Sequence, residues 1–246
     1  MRLDRLIESR LALSARSVRN LFAARHVRLN GSEATDSRQP ITEFCGVEVD
    51  GHVLQPAREA LYLMLHKPRG CASATVDDRH PTVLDLIDLP NKAELHLAGR
   101  LDFNTTGLLL LTNDGRWSRQ LTLPQQKIPK RYLVETKDEI TLEQVRKFAE
   151  GFYFRYENLT TLPAELTVLD SHHAELTIYE GRYHQIKRMF GYFQNEVTAL
   201  HRLSMGPIAL DPALAPGSYR HLRADEIASG GGPLAHPMAL GCIEPT

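Results

Sequence analysis

The stretch AGRLDFNTTGLLLLTNDG, residues 98–115, sets four consecutive leucines between two glycine-bearing turns. An apolar run of that length, closed by turn formers, predicts a core strand at GLLLLT. The polar approach to it, GRLDFNTT, is more than a core strand needs, and it places Asp102 in the loop that feeds the strand. A lone loop aspartate is ordinarily a turn former or a cap. Asp114, in TNDGRW, fits the cap reading as the start signal of a following helix.

Strand-like runs recur at LYLMLHKPRG, RYLVET, AELTVLD, AELTIYE and NEVTALH, with helical stretches such as TLEQVRKFAEG between them. Alternation with polar residues and several short links favour a mixed, mostly antiparallel sheet with flanking helices over a doubly wound parallel one. Upstream, RLDRLIESRLAL carries Leu3, Leu6, Ile7, Leu11 and Leu13 at helical spacing, and Ser14 is a cap for ARSVRNLFAAR, with Val18, Leu21 and Phe22 on one side. HVRLNGSEA and GVEVDGHVL read as strands broken by tight turns. The polar connector QPARE predicts the end of a small domain at residue 58. The fold class is therefore α+β: a domain over 1–58, a larger one over 59–229, and a glycine- and proline-rich tail over 230–246 expected to be disordered.

No segment approaches the roughly 18 apolar residues of a bilayer span, and MRLDRLIESR has no signal-peptide core, so a cytoplasmic protein is expected. Cys45, Cys71 and Cys242 are too scattered for a disulfide framework or a metal knuckle and are expected to be reduced. The net charge of -1 hides an uneven distribution. Residues 1–30 hold seven arginines, Arg16 and Arg19 among them, against Asp4 and Glu8, a net +5. Residues 116–137 are also +5 and residues 181–202 are +3, which leaves -14 for the rest. Basic segments on an acidic body are how a phosphate backbone is gripped.

Phosphate-loop, dinucleotide, zinc-protease and nucleophile-elbow signatures are absent. His172 and His173 read as turn residues. In EGRYHQIKRMFGYF, Ile186, Met189, Phe190 and Phe193 form one apolar stripe of a helix, with His184 and Arg188 nearly opposite it. Lys187 falls on the seam, either a snorkelling surface lysine or a cation delivered to a cleft edge. Tyr132, beside Arg131 in KIPKRYLVE, either packs at a strand start or stacks a nucleobase between cations.

Together these segments resemble the pseudouridine synthases, specifically the A type that modifies RNA of the small ribosomal subunit. RLDRLI with VRLNG is similar to the S4 RNA-binding module, LHKPRG to the opening of the catalytic domain, and GRLDFNTTGLLLLTNDG to the catalytic motif. KRYLV, EGRYHQIKRMF, LHR and LAPGSYR continue in the expected order. The resemblance implies isomerisation of a uridine to pseudouridine in 16S ribosomal RNA, by resemblance at the uridine-516 position, with no metal and no organic cofactor. It makes Asp102 the essential carboxylate, Tyr132 the ring against a flipped-out base, and Lys187 the cation paired with the aspartate. Arg100, Arg131, Arg182 and Arg188 are expected to bind substrate, as are Arg16 and Arg19 of the S4-like domain. The implied partner is 16S RNA, free or in a partly assembled small ribosomal particle, met by a monomer away from any membrane. A non-catalytic RNA chaperone is disfavoured by Asp102, Tyr132 and Lys187 occurring together. A nucleoside glycosidase is disfavoured because it wants two carboxylates and only Asp102 has a motif.

Overall fold

The computed structural model describes residues 1–231, whose contacts group into two compact units, Met1–Ala60 and a larger one beginning at Leu61. In the first, α1 (Leu3–Leu11) and α2 (Ala15–Ala23) precede an antiparallel sheet of β1 (Val27–Leu29), β2 (Ser32–Glu33), β3 (Val47–Val49) and β4 (His52–Gln55), in the order β2-β1-β3-β4. Leu3, Leu6 and Ile7 of α1 meet Val18 of α2 and the valines of β1 and β3 in a core of their own. Ser14 caps α2 by accepting the Ser17 N–H at 3.1 Å. The hairpin turns fall at Asn30-Gly31 (φ 49 and 79) and Asp50-Gly51 (φ 53 and 77), the left-handed pairs that two-residue hairpins require. One expectation is corrected. α1 stops at Leu11 because Ala12 turns left-handed (φ 52), so Leu11 is exposed and Leu13 packs only partly, from outside the helix.

The second unit contains β5 (Tyr62–Lys67), β6 (His96–Ala98), β7 (Thr106–Thr112), α3 (Gly115–Thr122), β8 (Lys130–Thr136), α4 (Leu142–Glu150), a small pair β9 (Tyr153–Phe154) and β10 (Leu159–Thr160), and β11 (Glu165–Val168). It continues with β12 (His173–Ile178), α5 (Gln185–Gly191), β13 (Val197–Met205), β14 (Ile208–Ala209), β15 (Tyr219–His221) and α6 (Ala224–Ser229). The main sheet runs β11-β12-β8-β13-β7-β5-β15, with β14 on β13 and β6 on β7. Within it only β13 and β7 pair in parallel, giving the mixed, mostly antiparallel α+β architecture that strand spacing predicts. Asp114 caps α3 by accepting from the Arg116 and Trp117 N–H groups, and Thr141 with Gln144 forms a capping box on α4. No helix among the described residues is long and apolar enough to cross a membrane. The tail from residue 232 onward, with Cys242, lies outside the described residues; Gly230 is the C-cap of α6.

The centre of this sheet positions everything that follows. Leu108, Leu109, Leu110 and Leu111 are all fully buried, so both faces of β7 are covered and the run is apolar without alternation. Gly107 begins that run at φ +102, and a Cβ there would lie 2.3 Å from the Arg202 carbonyl oxygen. Only glycine lets β13 close against β7 at this point. The loop carrying Asp102 thereby enters the sheet beside β13.

Candidate active site

Asp102 sits in the loop before β7, at the edge of a cleft of about 780 Å³ that Tyr132, Lys187, Lys130 and Arg202 also line. Its carboxylate is partly buried, with 26% of the side chain exposed, so it is shielded yet reachable. Lys187 Nζ lies 3.4 Å from Oδ2, and His184 Nε2 lies 3.6 Å from Oδ1. The seam position of Lys187 thus delivers its ammonium to the cleft. The expected helical position of His184 is corrected: the helix starts only at Gln185, and His184 stands at its N-cap in the left-handed region (φ 47), facing Asp102 in the cleft. The cause is local. The Gln185 side chain turns back to accept the Arg182 N–H at 3.0 Å, while its amide nitrogen donates to Glu180, and EGRYH becomes a loop. The apolar stripe survives, with Ile186, Met189 and Phe190 buried.

A second lysine holds the Asp102 loop from beneath. Lys67, at the end of β5, is completely buried and donates to the carbonyls of Pro68, Phe103 and Thr105 at 3.0, 3.1 and 3.0 Å. Two of those carbonyls lie one and three residues beyond Asp102. Burial pulls the Lys67 ammonium down to about 8, against the opposing pull of the Cys71 thiol and of Asp102. From sequence, Lys67 reads only as a strand stop. Its one signal is a lone lysine closing an otherwise apolar run.

Tyr132 is buried on β8, its ring facing both the cleft and the core, so the packing and stacking positions coincide. Period-two alternation sends Arg131 to the opposite face, where it pairs with Glu175 at 3.3 Å. The cation beside Tyr132 is therefore Lys130, and the expectation that Arg131 flanks the ring toward the same ligand is corrected. Arg100 is exposed on the cleft wall, and Arg182 also lines it while bonded to Glu180 at 3.0 Å. Arg188 is half-buried, with 29% of its side chain exposed. Its guanidinium grips Glu157 through two bonds of 2.7 and 2.8 Å, donates to the Tyr183 carbonyl at 3.3 Å and lies 3.6 Å from the Phe154 ring centre. Arg16 and Arg19 are exposed on α2 of the first unit. At the cleft mouth Tyr183, mostly exposed, stacks on His184 at 3.9 Å, and Phe103 is also exposed. His172 lies in the bend before β12, as expected, whereas His173 is the first residue of that strand and its ring pairs with Asp170 at 2.9 Å, which corrects the turn reading for His173.

A partly buried carboxylate with a cation at its side, a tyrosine ring in the wall and aromatic groups at the mouth can receive a planar base and engage its sugar. Residues 61–192 match the family described as RNA pseudouridylate synthase. The chain is 52% identical over 229 residues to the ribosomal small subunit pseudouridine synthase A of Pseudomonas aeruginosa, covering 93% of this chain and 100% of that protein. It is 41% identical to the protein of the same name from Escherichia coli, over 93% of this chain and 99% of the relative. A crystal structure of a pseudouridylate synthase superposes with a TM-score of 0.68 at 38% identity, covering 94% of this chain and 99% of that one. With a matching family over more than half its length and relatives spanning nearly all of it, the chain belongs to the RNA pseudouridylate synthase family, enzymes that isomerise uridine to pseudouridine.

Proposed function

We propose that this protein isomerises one uridine of 16S ribosomal RNA, the uridine-516 type by resemblance, with Asp102 as the essential carboxylate. The observation that carries the reading is Asp102 in the cleft wall with Lys187 3.4 Å away. Lys187 balances the carboxylate's charge, and Tyr132 lies against the base. The reacting atoms of a uridine are hidden in a stacked RNA, so the nucleotide is flipped out into the cleft. Arg100 and Arg182, on the cleft wall, are placed to meet flanking phosphates. The relatives named above are small-subunit synthases, which supports the choice of RNA, and the reaction takes place in the cytoplasm on a monomer. Incubating the protein with free 16S RNA and with partly assembled small subunits, then mapping pseudouridine in each, tests the reading. Pseudouridine at one position in either substrate supports it; none in both refutes it.

Met1–Ala60 acts in this proposal as an S4-like RNA-binding module, on the strength of its own core and its +5 N-terminal segment. Removing residues 1–60 should lower RNA affinity and flatten its salt dependence, while the rest of the chain stays folded. A truncated protein that binds and modifies RNA as well as the intact one would contradict the module's role.

Tyr132 contributes its ring. Tyr132→Ala should lose about 1–3 kcal/mol of stacking, whereas Tyr132→Phe should retain it. Single-turnover rates and RNA affinities of the two variants check this, and equal, near-parental values would leave Tyr132 as a packing residue only.

A further inference from the structure

The floor of the cleft carries more positive charge than its carboxylates balance. Lys130 projects from the same face of β8 as Tyr132, and Arg202 stands directly across from Tyr132 on β13. The lining sets Arg100, Lys130, Arg182, Lys187 and Arg202 against Asp77, which already accepts from the Arg79 and His80 N–H groups, Asp102 and Glu180. The Glu180 oxygens are already occupied by the Leu162 N–H, the Gln185 amide and Arg182. Asp102, across the cleft, is matched by Lys187 and His184.

Arg202 is the unusual member. Only 2% of it is exposed; its Nε donates to the Leu108 carbonyl at 2.7 Å, and its Nη2 has no hydrogen-bond partner among the described residues. A buried guanidinium with an unused donor is costly to maintain, and such a group in a concave site calls for a ligand that completes it. Lys130 registers the same field, since burial, and next the Arg202 cation, pull its ammonium down to about 8. Lys130, whose ammonium donates to the Ile128 carbonyl at 2.8 Å, and Arg202 line the same cleft as Tyr132.

We propose that Arg202, assisted by Lys130, is a catalytic residue: it donates to a carbonyl oxygen of the flipped-out uracil and stabilises the negative charge the ring acquires when its bond to ribose breaks. The proposal rests on the uridine-isomerising reading of the same cleft. In that step the C1′–N1 bond breaks and its electron pair stays on uracil, which becomes an anion with charge spread over N1, O2 and O4, while C1′ is left electron-poor. C5 then gives an electron pair to C1′; C5 loses its proton and N1 takes one up, so atoms and charge match those of the starting uridine. Fixed donors aimed at developing charge act strongly in a site closed to water.

The test compares single-turnover cleavage in RNA carrying either uridine or 5-fluorouridine at the target, using the intact protein, Arg202→Gln, Arg202→Lys and Lys130→Met. Fluorine already stabilises the uracil anion, so the leaving ring needs the cation less. Arg202→Gln should lose about 100-fold in rate on uridine and about 10-fold on 5-fluorouridine, with RNA affinity changed only slightly. Arg202→Lys should recover part of the loss. Lys130→Met, which leaves the bond from Arg202 to Leu108 intact, should show the same substrate dependence more weakly, and it decides the matter if Arg202→Gln does not fold. Equal losses on both substrates, or no loss, would overturn the proposal and leave the isomerase reading standing. A parent protein inactive on every RNA offered would overturn that reading, and the role of Arg202 with it.

Discussion

Replacing Asp102 with asparagine is expected to abolish pseudouridine formation, lowering the rate by about 10⁴-fold or more, while RNA binding stays close to that of the parent. The substitution keeps size and most hydrogen bonding but removes the charge that Lys187 and His184 face across 3.4 and 3.6 Å. Asp102 lies in a loop, and its carboxylate's pairs to Lys187 and His184 are partly exposed, so their loss should cost little stability. Single-turnover assays beside binding isotherms separate the two effects. An Asp102→Asn protein within tenfold of the parent's rate would place the chemistry elsewhere.

The second large effect is expected at Lys67. Lys67→Met fills the same space but withdraws the donor from three carbonyls, two of them in the Asp102 loop. Relief from burying an ammonium offsets part of that loss, and a net destabilisation of about 2–4 kcal/mol is expected, read as a lower urea midpoint. The activity of the folded fraction should fall at least tenfold, because Asp102 is no longer held in place. The sign of the pH dependence is specific. Lys67 gives up its proton at about 8 in the folded protein and at 10.5 in an unfolded one. The unfolded chain therefore binds more protons between those values, and Lys67 makes stability rise with pH across that window. In Lys67→Met this contribution disappears, so the stability gap between parent and variant should widen from pH 8 to pH 10. A variant with parental stability and rate would show that the carbonyl cradle is incidental.

Much of this fold was legible because local signals agreed with the global arrangement. GLLLLT, RYLVET and AELTIYE are strands, Asn30-Gly31 turns a hairpin, and Ser14 and Asp114 cap helices where their spacing says they should. Part of what sequence missed comes from contacts between residues far apart in the chain, and part from local bonding and strand alternation. The parallel pairing of β13 with β7 depends on Gly107 lying against Arg202, 95 positions later, and no local pattern announces it. EGRYH has the periodicity of a helix, yet back-bonding from Gln185 to Arg182 and Glu180 makes it a loop and turns His184 toward Asp102. The expected cationic flank of Tyr132 failed at Arg131 because strand alternation sends neighbours to opposite faces, and Lys130 holds the position instead. Arg188 lies opposite the apolar stripe on a helical wheel, and its partners Glu157 and Phe154 come from a distant segment. Lys67 and Arg202 were the least visible. Each is a cation at the inward phase of a strand, and burial alone reveals what it holds.

The most direct measurement is a map of pseudouridine across 16S RNA from cells lacking this protein, complemented either with the parent gene or with one encoding Asp102→Asn at equal protein levels. The account predicts one pseudouridine that is missing from the deletion strain, restored by the parent and not by Asp102→Asn. An unchanged map in the deletion strain, or restoration by Asp102→Asn, would contradict it.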